Sequence, residues 1–241
     1  MKIAILSDIH GNETALKTVF DRLGSSGVDK LILLGDIVDY GPHSNEVIDI
    51  LISSDLPVIC NIIGNHENAI INSEYSRFSS ERGKQSAEFT RSTLSDNSWN
   101  YIKNNMYGSG KYEFTVDTFK CLAVHGSLSD EYWKAIRPGD ELKDYAEYDY
   151  VFSGHSHYPH FFEMYYKADR IETRNLKKTT FINPGSVGQP RNICPFAQYA
   201  VWDTITGEIN MARIKYDIKK EQQCFFSEID SFYRDRLEAG I

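Results

Sequence analysis

Three short apolar runs in the first 65 residues alternate with two amphipathic stretches, and each run ends on a polar motif containing glycine. Lys2–Leu6, Lys30–Leu34 and Pro57–Ile63 read as buried strands. Asn12 can cap a helix in which Leu16, Val19, Phe20 and Leu23 share one face, with Gly24 and Gly27 to stop it. Ser44 can cap a second helix that turns Val47, Ile48 and Leu51 inward. A strand, helix, strand, helix, strand order predicts βαβ units and a parallel sheet.

The pattern then changes. Residues 68–105 are polar yet keep helical spacing through Ala87, Thr90, Leu94, Trp99 and Ile102, with Ser95 or Asp96 as a cap. This segment reads as a polar helical insert over one edge of the site. Beyond Gly108 the chain is β-rich, with strands expected at 111–116, 120–124, 150–153, 161–166, 178–182, 198–203 and 208–216. Asp117-Thr118 and Thr204–Gly207 look like hairpin connections. Lys219–Leu237 reads as one closing helix with Phe225, Ile229, Phe232 and Tyr233 on one face. The aromatic run Phe161, Phe162, Tyr165 and Tyr166 reads as sheet core. At 241 residues, the whole of 1–241 is expected to form a single α/β domain.

Composition narrows the function classes. Lys and Arg number 26 against 34 Asp and Glu, a net charge of -8 that disfavours non-specific nucleic-acid or anionic-membrane binding. Apolar runs fall far short of the roughly 20 residues of a membrane span, and the Met1-Lys2 start lacks a signal-peptide core. Cys60, Cys121, Cys194 and Cys224 form no Cys-x-x-Cys and read as reduced thiols of a cytoplasmic protein.

Five motifs carry the chemistry, each just after an expected strand: Asp8-Ile9-His10, Gly35-Asp36, Gly64-Asn65-His66-Glu67, His125-Gly126 and Gly154-His155-Ser156-His157. Loops at the carboxyl ends of strands converge on one crevice in α/β sheets, so these distant positions are expected to be neighbours. The glycines at 11, 35, 64, 126 and 154 would let each strand turn out sharply. Carboxylate, imidazole and amide oxygen without thiolate suit Mn, Fe, Zn or Ni. Asp8, His10, Asp36, Asn65, His125, His155 and His157 are too many ligands for one ion, whereas two divalent ions sharing Asp36 would use them all.

This series resembles the calcineurin-like metallophosphoesterase superfamily, whose pattern is D-x-H, G-D, G-N-H-[DE], H-G, G-H-x-H. The likeness spans Asp8 to His157 and extends through Asn183–Gly188, about residues 1–216. It implies a four-layer sandwich of two mixed β-sheets flanked by α-helices. It implies that Asp8, His10, Asp36 and His157 hold one metal, and that Asp36, Asn65, His125 and His155 hold the other. By the same resemblance His66 is catalytic beside the scissile phosphate, Asp39 orients it, and Asn65 and His66 touch substrate. The implied reaction is hydrolysis of a phosphodiester or nucleotide-type ester by in-line attack of a metal-bridging hydroxide. Tyr40 stands where phosphoprotein phosphatases and diadenosine tetraphosphate hydrolases carry an arginine in G-D-x-x-D-R-G. A tyrosine lacks the charged fork, which directs the resemblance to the small bacterial and archaeal phosphodiesterase-like members.

Other residues stay open to two readings. Arg191 is the candidate substrate-binding arginine, with Arg77, Arg82 and Arg91 of the insert as further candidates against solvated surface positions. Asn183–Gly188 either supplies backbone groups near the metals or forms a plain turn. His43 and His160 lie outside the pattern and read as structural or exposed. The expected partner is a small phosphorylated substrate, with a homodimer through the β-rich part or the last helix also open. The alternatives to a phosphodiesterase are a nucleoside-polyphosphate hydrolase or phosphoprotein phosphatase, and a non-catalytic binding scaffold on the same fold.

Overall fold

The computed structural model describes residues 1–167 and 176–241. The first half supplies β1 (Lys2–Leu6), α1 (Glu13–Gly24), β2 (Lys30–Leu33), α2 (Ser44–Ser53) and β3 (Val58–Asn61), then α3 (Asn65–Asn72), α4 (Glu81–Thr93) and α5 (Asp96–Asn105). The second half supplies β4 (Lys111–Val116), β5 (Phe119–Val124), β6 (Tyr150–Ser153), β7 (His160–Tyr165), β8 (Lys178–Asn183), β9 (Ala197–Asp203) and β10 (Ile209–Ile214), with α6 (Ile218–Gln222) and α7 (Ser231–Ala239) last.

The strands form two mixed five-stranded sheets, ordered β10-β9-β1-β2-β3 and β4-β5-β6-β8-β7. In the first, β1, β2 and β3 run parallel while β9 and β10 are antiparallel additions. In the second, β5, β6 and β8 run parallel between antiparallel edges. Strand alternation divides the apolar residues between two faces. From β1, Ile3 and Ile5 meet Phe152, Ile182 and Trp202 in the space between the sheets, while Ala4 and Leu6 face α1 and α2. Fully burying each such large side chain is worth roughly 1.5–3 kcal/mol, so the two sheets are held face to face by their own pleat.

The expected sandwich is present, but its layers are unequal. Helices α1, α2 and α5 cover the outer face of the first sheet through Leu16, Val19, Val47, Leu51 and Ile102. The outer face of the second sheet is covered by Ile136, Leu142, Tyr145 and Tyr148, from a loop whose one helical turn is the short 3-10 segment Lys143–Tyr145. Phe162 stacks on Phe181 in that layer at 4.9 Å, whereas Phe161 and Tyr165 point outward and are half exposed. Only part of the aromatic run is therefore core, as a period of two requires.

Three local expectations change. His43, not Ser44, occupies the N-cap of α2, and the Ser44 hydroxyl instead accepts the Asp39 N–H at 3.1 Å. Helix α3 starts at Asn65, inside a motif read as a loop. The single closing helix is two. Asp217 caps Lys220 N and starts α6, while the Asp230 carboxylate accepts the Phe232 N–H and starts α7 afresh. A side-chain cap in the middle of a helical pattern competes with helix continuation, and here it wins. Among the described residues, no helix is long and apolar enough to cross a membrane.

The break turns Glu221 into the interior, where it accepts the Thr14 N–H at 3.1 Å and meets His43 Nδ1 at 2.9 Å. The Glu221 hydrogen bond holds the His43 imidazole above its ordinary value. A raised folded-state value means this stabilisation is complete below about pH 6.5 and disappears as pH rises through the higher folded value. His43→Gln is thus expected to lower stability by roughly 1–2 kcal/mol near pH 5.5 and by much less near pH 8.5, read from urea midpoints at the two pH values. An equal loss at both would remove the charged contact as the cause.

Candidate metal centre

All five motifs open at the carboxyl ends of parallel strands and meet. Asp8 and His10 follow β1, Asp36 follows β2, and Asn65 opens α3 after β3. His125 follows β5, and His155 with His157 follow β6. The first sheet therefore contributes four of these seven residues and the second sheet three. The close turns come from the polar residues themselves as much as from glycine. Asp8, His10, Asp36, Asp39, Tyr40, His155 and His157 all sit at positive φ, between 47° and 74°. Each such residue costs on the order of 1–3 kcal/mol, a strain that persists only where surrounding contacts over-determine it. Gly64 and Gly154 serve a different need than sharp turning. A Cβ at Gly64 would land on the Asp36 carboxylate, and one at Gly154 on the Ser7 hydroxyl.

Two groups of donor atoms result. Ligand atoms of Asp8, His10, Asp36 and His157 lie within 4.8 Å of one another, and so do those of Asp36, His125 and His155. Asp36 belongs to both. His157 Nε2 is 3.1 Å from Asp8 Oδ1, and His10 Nε2 is 3.7 Å from Asp36 Oδ2. On the other side His125 Nε2 is 3.2 Å from Asp36 Oδ2, while the Asn65 amide oxygen lies 3.0 Å from His125 Nε2 and 2.9 Å from His155 Nδ1.

Hydrogen bonding fixes which nitrogen of each ring faces the cluster. The Nδ1–H groups of His10, His125 and His157 donate to the carbonyls of Val38, Leu34 and Gln189, at 3.3, 2.6 and 2.6 Å. His155 does the reverse, donating Nε2–H to Trp133 O at 3.1 Å. A carbonyl can only accept, so each neutral ring turns its lone pair inward. His10 Nε2 and His157 Nε2 thus face one another 3.3 Å apart, and the buried Asp8 Oδ1 makes no hydrogen bond. Opposed lone pairs beside an orphaned carboxylate oxygen are repulsive unless a cation stands among them. The donor set fits a divalent ion of the Mn, Fe, Zn or Ni kind.

The charges agree. Burial would raise Asp8 and Asp36, but His157 beside the first and His125 beside the second hold both carboxyls below their usual range. Burial lowers His10 and His157, and pushes His155 down to about 4. His125 is the exception. Burial lowers it, yet the Asp36 carboxylate outweighs that and holds it at about 9. A cation taking that nitrogen would displace its proton.

His66 stands beside the cluster. Its Nδ1 is 2.6 Å from Asp39 Oδ2, and its Nε2 is 3.9 Å from Asp36 Oδ2. Tyr40 and Phe78 meet its ring edge-on at 4.4 and 5.0 Å. Burial lowers His66, but the Asp36 and Asp39 carboxylates together hold it above its ordinary value. The other Asp39 oxygen accepts from Tyr40 N at 2.7 Å, and from the Ser86 and Thr90 hydroxyls of α4. The polar insert thus reaches the centre. A pocket of 220 Å³ opens here, lined by Arg77 and Phe78 of the insert together with Tyr40, Trp133 and Arg191.

The remaining candidates separate. Arg77 lines the pocket but is paired with Asp130, at 2.5 Å. Arg82 lies over the Phe232 ring and Arg91 binds the Ile70 carbonyl, both away from the pocket. Asn183–Gly188 serves the framework. Ser186 Oγ and Gly188 N both donate to Asp8 O, and Asn183 Nδ2 donates to Gly154 O. Sequence reasoning gave Glu67 no task, although it lies inside a quoted motif. Its fully buried carboxylate accepts four backbone N–H groups, from Gly64, Asp36, Ile37 and Val38, at 2.7–3.1 Å. Trp133 carried no signal in the sequence at all.

Loops that gather buried carboxylates and bare imidazole nitrogens at the carboxyl edge of two stacked sheets place this chain among the metallophosphoesterases. Residues 1–207 match the calcineurin-like phosphoesterase superfamily domain, and the chain belongs to that superfamily. An uncharacterized protein of Methanocaldococcus jannaschii is 30% identical over 231 residues, 90% of this chain and 89% of that protein. A metallophosphoesterase from Sphaerobacter thermophilus superposes with a TM-score of 0.74 at 25% identity, covering all of both chains. A hypothetical protein from Pyrococcus horikoshii shares the fold at a TM-score of 0.76 and 20% identity, over 100% of this chain and 98% of that one.

Two outcomes follow from the geometry. Saturating Mn²⁺, at about a hundred times its dissociation constant, should add about 2.7 kcal/mol of stability and raise Tm by roughly 5–10 °C, reversibly with chelator. Scanning calorimetry with several divalent metals and no shift from any would dissolve the cation argument. Glu67→Gln replaces one acceptor oxygen by a donor facing N–H groups, so it should cost roughly 3 kcal/mol or more in urea unfolding, far more than a surface Glu→Gln change.

Proposed function

We propose that this protein is a divalent-metal-dependent phosphoester hydrolase acting on a small substrate of phosphodiester or nucleotide type. One observation carries the reading: the His10, His125, His155 and His157 rings each donate outward to a carbonyl and turn their second nitrogen onto two buried carboxylates. Asp8, His10, Asp36 and His157 would hold one cation, and Asp36, Asn65, His125 and His155 the other. When bound, the cations supply Lewis-acid polarisation of the phosphoryl oxygens and activate water near neutral pH.

The protein's own groups do the rest. His66 keeps Nδ1 on Asp39 and presents Nε2 beside the cluster, placed to give a proton to the departing oxygen. Asp39 fixes that ring and stabilises its charged form, while Ser86 and Thr90 fix Asp39. Phe78 and Trp133, packed edge to face at 5.2 Å, give the pocket a wall suited to an aromatic leaving group or base. A non-catalytic scaffold is disfavoured because neither the ligand set nor the His66–Asp39 pair is broken.

Turnover of bis-p-nitrophenyl phosphate with Mn²⁺ or Ni²⁺ tests this directly, and inactivity on diesters and monoesters with every metal tried would sink it. His66→Ala should lower kcat by roughly 10²–10⁴, most for poor leaving groups, and an undiminished rate would strip His66 of its acid role. Asp36→Asn should lower the content of both metals together in elemental analysis. Loss of one ion alone would remove the bridge.

A further inference from the structure

Among the described residues, Arg191 is a cation with no ion-pair partner. It lines the pocket with His66, His157 and Tyr40, yet no ion pair or hydrogen bond reaches it among the described residues, and its buried Nε lacks a partner. Its charge is not neutralised from behind. Arg236, which is almost fully buried, is pushed down to about 10 by burial and then by the Arg191 charge. Two guanidiniums that feel one another repel, so Arg236 adds to the Arg191 charge rather than offsetting it. The other arginine in the pocket, Arg77, has its charge offset by Asp130. Among the described residues, the pocket lining therefore carries one positive charge, that of Arg191, with no ion pair outside the donor cluster.

That count discriminates between phosphate esters. A diester at neutral pH presents two non-bridging oxygens and one negative charge. A monoester presents a third terminal oxygen and, as the dianion, a second charge. A guanidinium fork suits that additional oxygen better than any other side chain. Tyr40 cannot take this role. Its ring is buried, stacked on Tyr233 of α7 at 4.2 Å, and burial pushes its hydroxyl well above the ordinary value, so it stays neutral.

Resting on the hydrolase reading above and narrowing it to its nucleotide-type, monoester branch, we propose that Arg191 binds the third terminal oxygen of a phosphate monoester dianion, and that the site prefers monoesters to diesters. The cation that the strand-β2 loop lacks is thus supplied by the loop between β8 and β9. The pocket, at 220 Å³, has room for a phosphoryl group with a small adjoining moiety.

The test compares kcat/KM for p-nitrophenyl phosphate and bis-p-nitrophenyl phosphate in the metal-loaded protein. Arg191→Ala should lower the monoester-to-diester ratio by roughly 30–100-fold, as expected for losing a charge-assisted bidentate contact. Arg191→Lys keeps the charge but not the fork and should fall between, which covers the case of an alanine variant that folds poorly. Arg82→Ala, which removes a nearby charge that does not line the pocket, should leave the ratio within about threefold and so controls for bulk charge. A second arm needs no turnover: titration calorimetry with inorganic phosphate should show affinity weakened at least about tenfold by Arg191→Ala. A ratio and a phosphate affinity both unchanged in the Arg191 variants would overturn the proposal. If the wild-type protein hydrolyses neither ester, the hydrolase reading fails instead, and the phosphate titration alone decides whether Arg191 is an anion site.

Discussion

Four backbone N–H groups converging on the Glu67 carboxylate hold this structure's centre in place. Three belong to the loop after β2 and one to the turn after β3. The same residue sits in the first turn of α3, so the helix, the turn and the loop share a single buried anchor. Through it Asp36 acquires its left-handed backbone, and with that its position between the two donor groups. His66 N donates back to Asp36 Oδ1 at 2.9 Å, closing the circuit between the loops. Few buried carboxylates are so completely satisfied, and few could be removed at greater cost.

Around this anchor, electrostatics and strain point to the same conclusion. Buried carboxylates, neutral imidazoles with inward lone pairs and seven polar residues at positive φ are each unfavourable alone. Natural interiors keep such arrangements where a ligand relieves them. The Ser186, Gly188 and Asn183 hydrogen bonds brace the strained loops from below, so the framework resists relaxation of the cluster. A rigid, preorganised set of donors is what oriented phosphoryl chemistry requires.

Much of this was legible in the sequence because the informative residues are short-range. Each donor-bearing motif abuts an apolar run of unambiguous type, and strand ends converge by topology alone. Asp39 was legible only through the family resemblance, which sets it beside His66, and it does lie against that ring. What stayed hidden depends on long-range contact. Ser86 and Thr90 look like ordinary helix residues until α4 is laid over Asp39. The break between α6 and α7 reflects Glu221 being drawn toward His43 and Thr14 while Asp230 recaps the chain, a competition that periodicity does not register. Among four candidate arginines, only the tertiary fold shows that Arg82 and Arg91 are spent on an aromatic ring and a carbonyl.

Each donor group draws on both sheets: His157 from the second joins Asp8, His10 and Asp36 from the first, and His125 with His155 join Asp36. The sheets touch through Ile3, Ile5, Phe152, Ile182 and Trp202, none of which lines the pocket. A small slip of one layer over the other would spread both sets of ligands at once while leaving each loop internally intact. Side chains such as Trp202 therefore act as alignment pins for chemistry they never touch, and a loosened interior would show itself as misregistered ligands well before it showed itself as a melted protein.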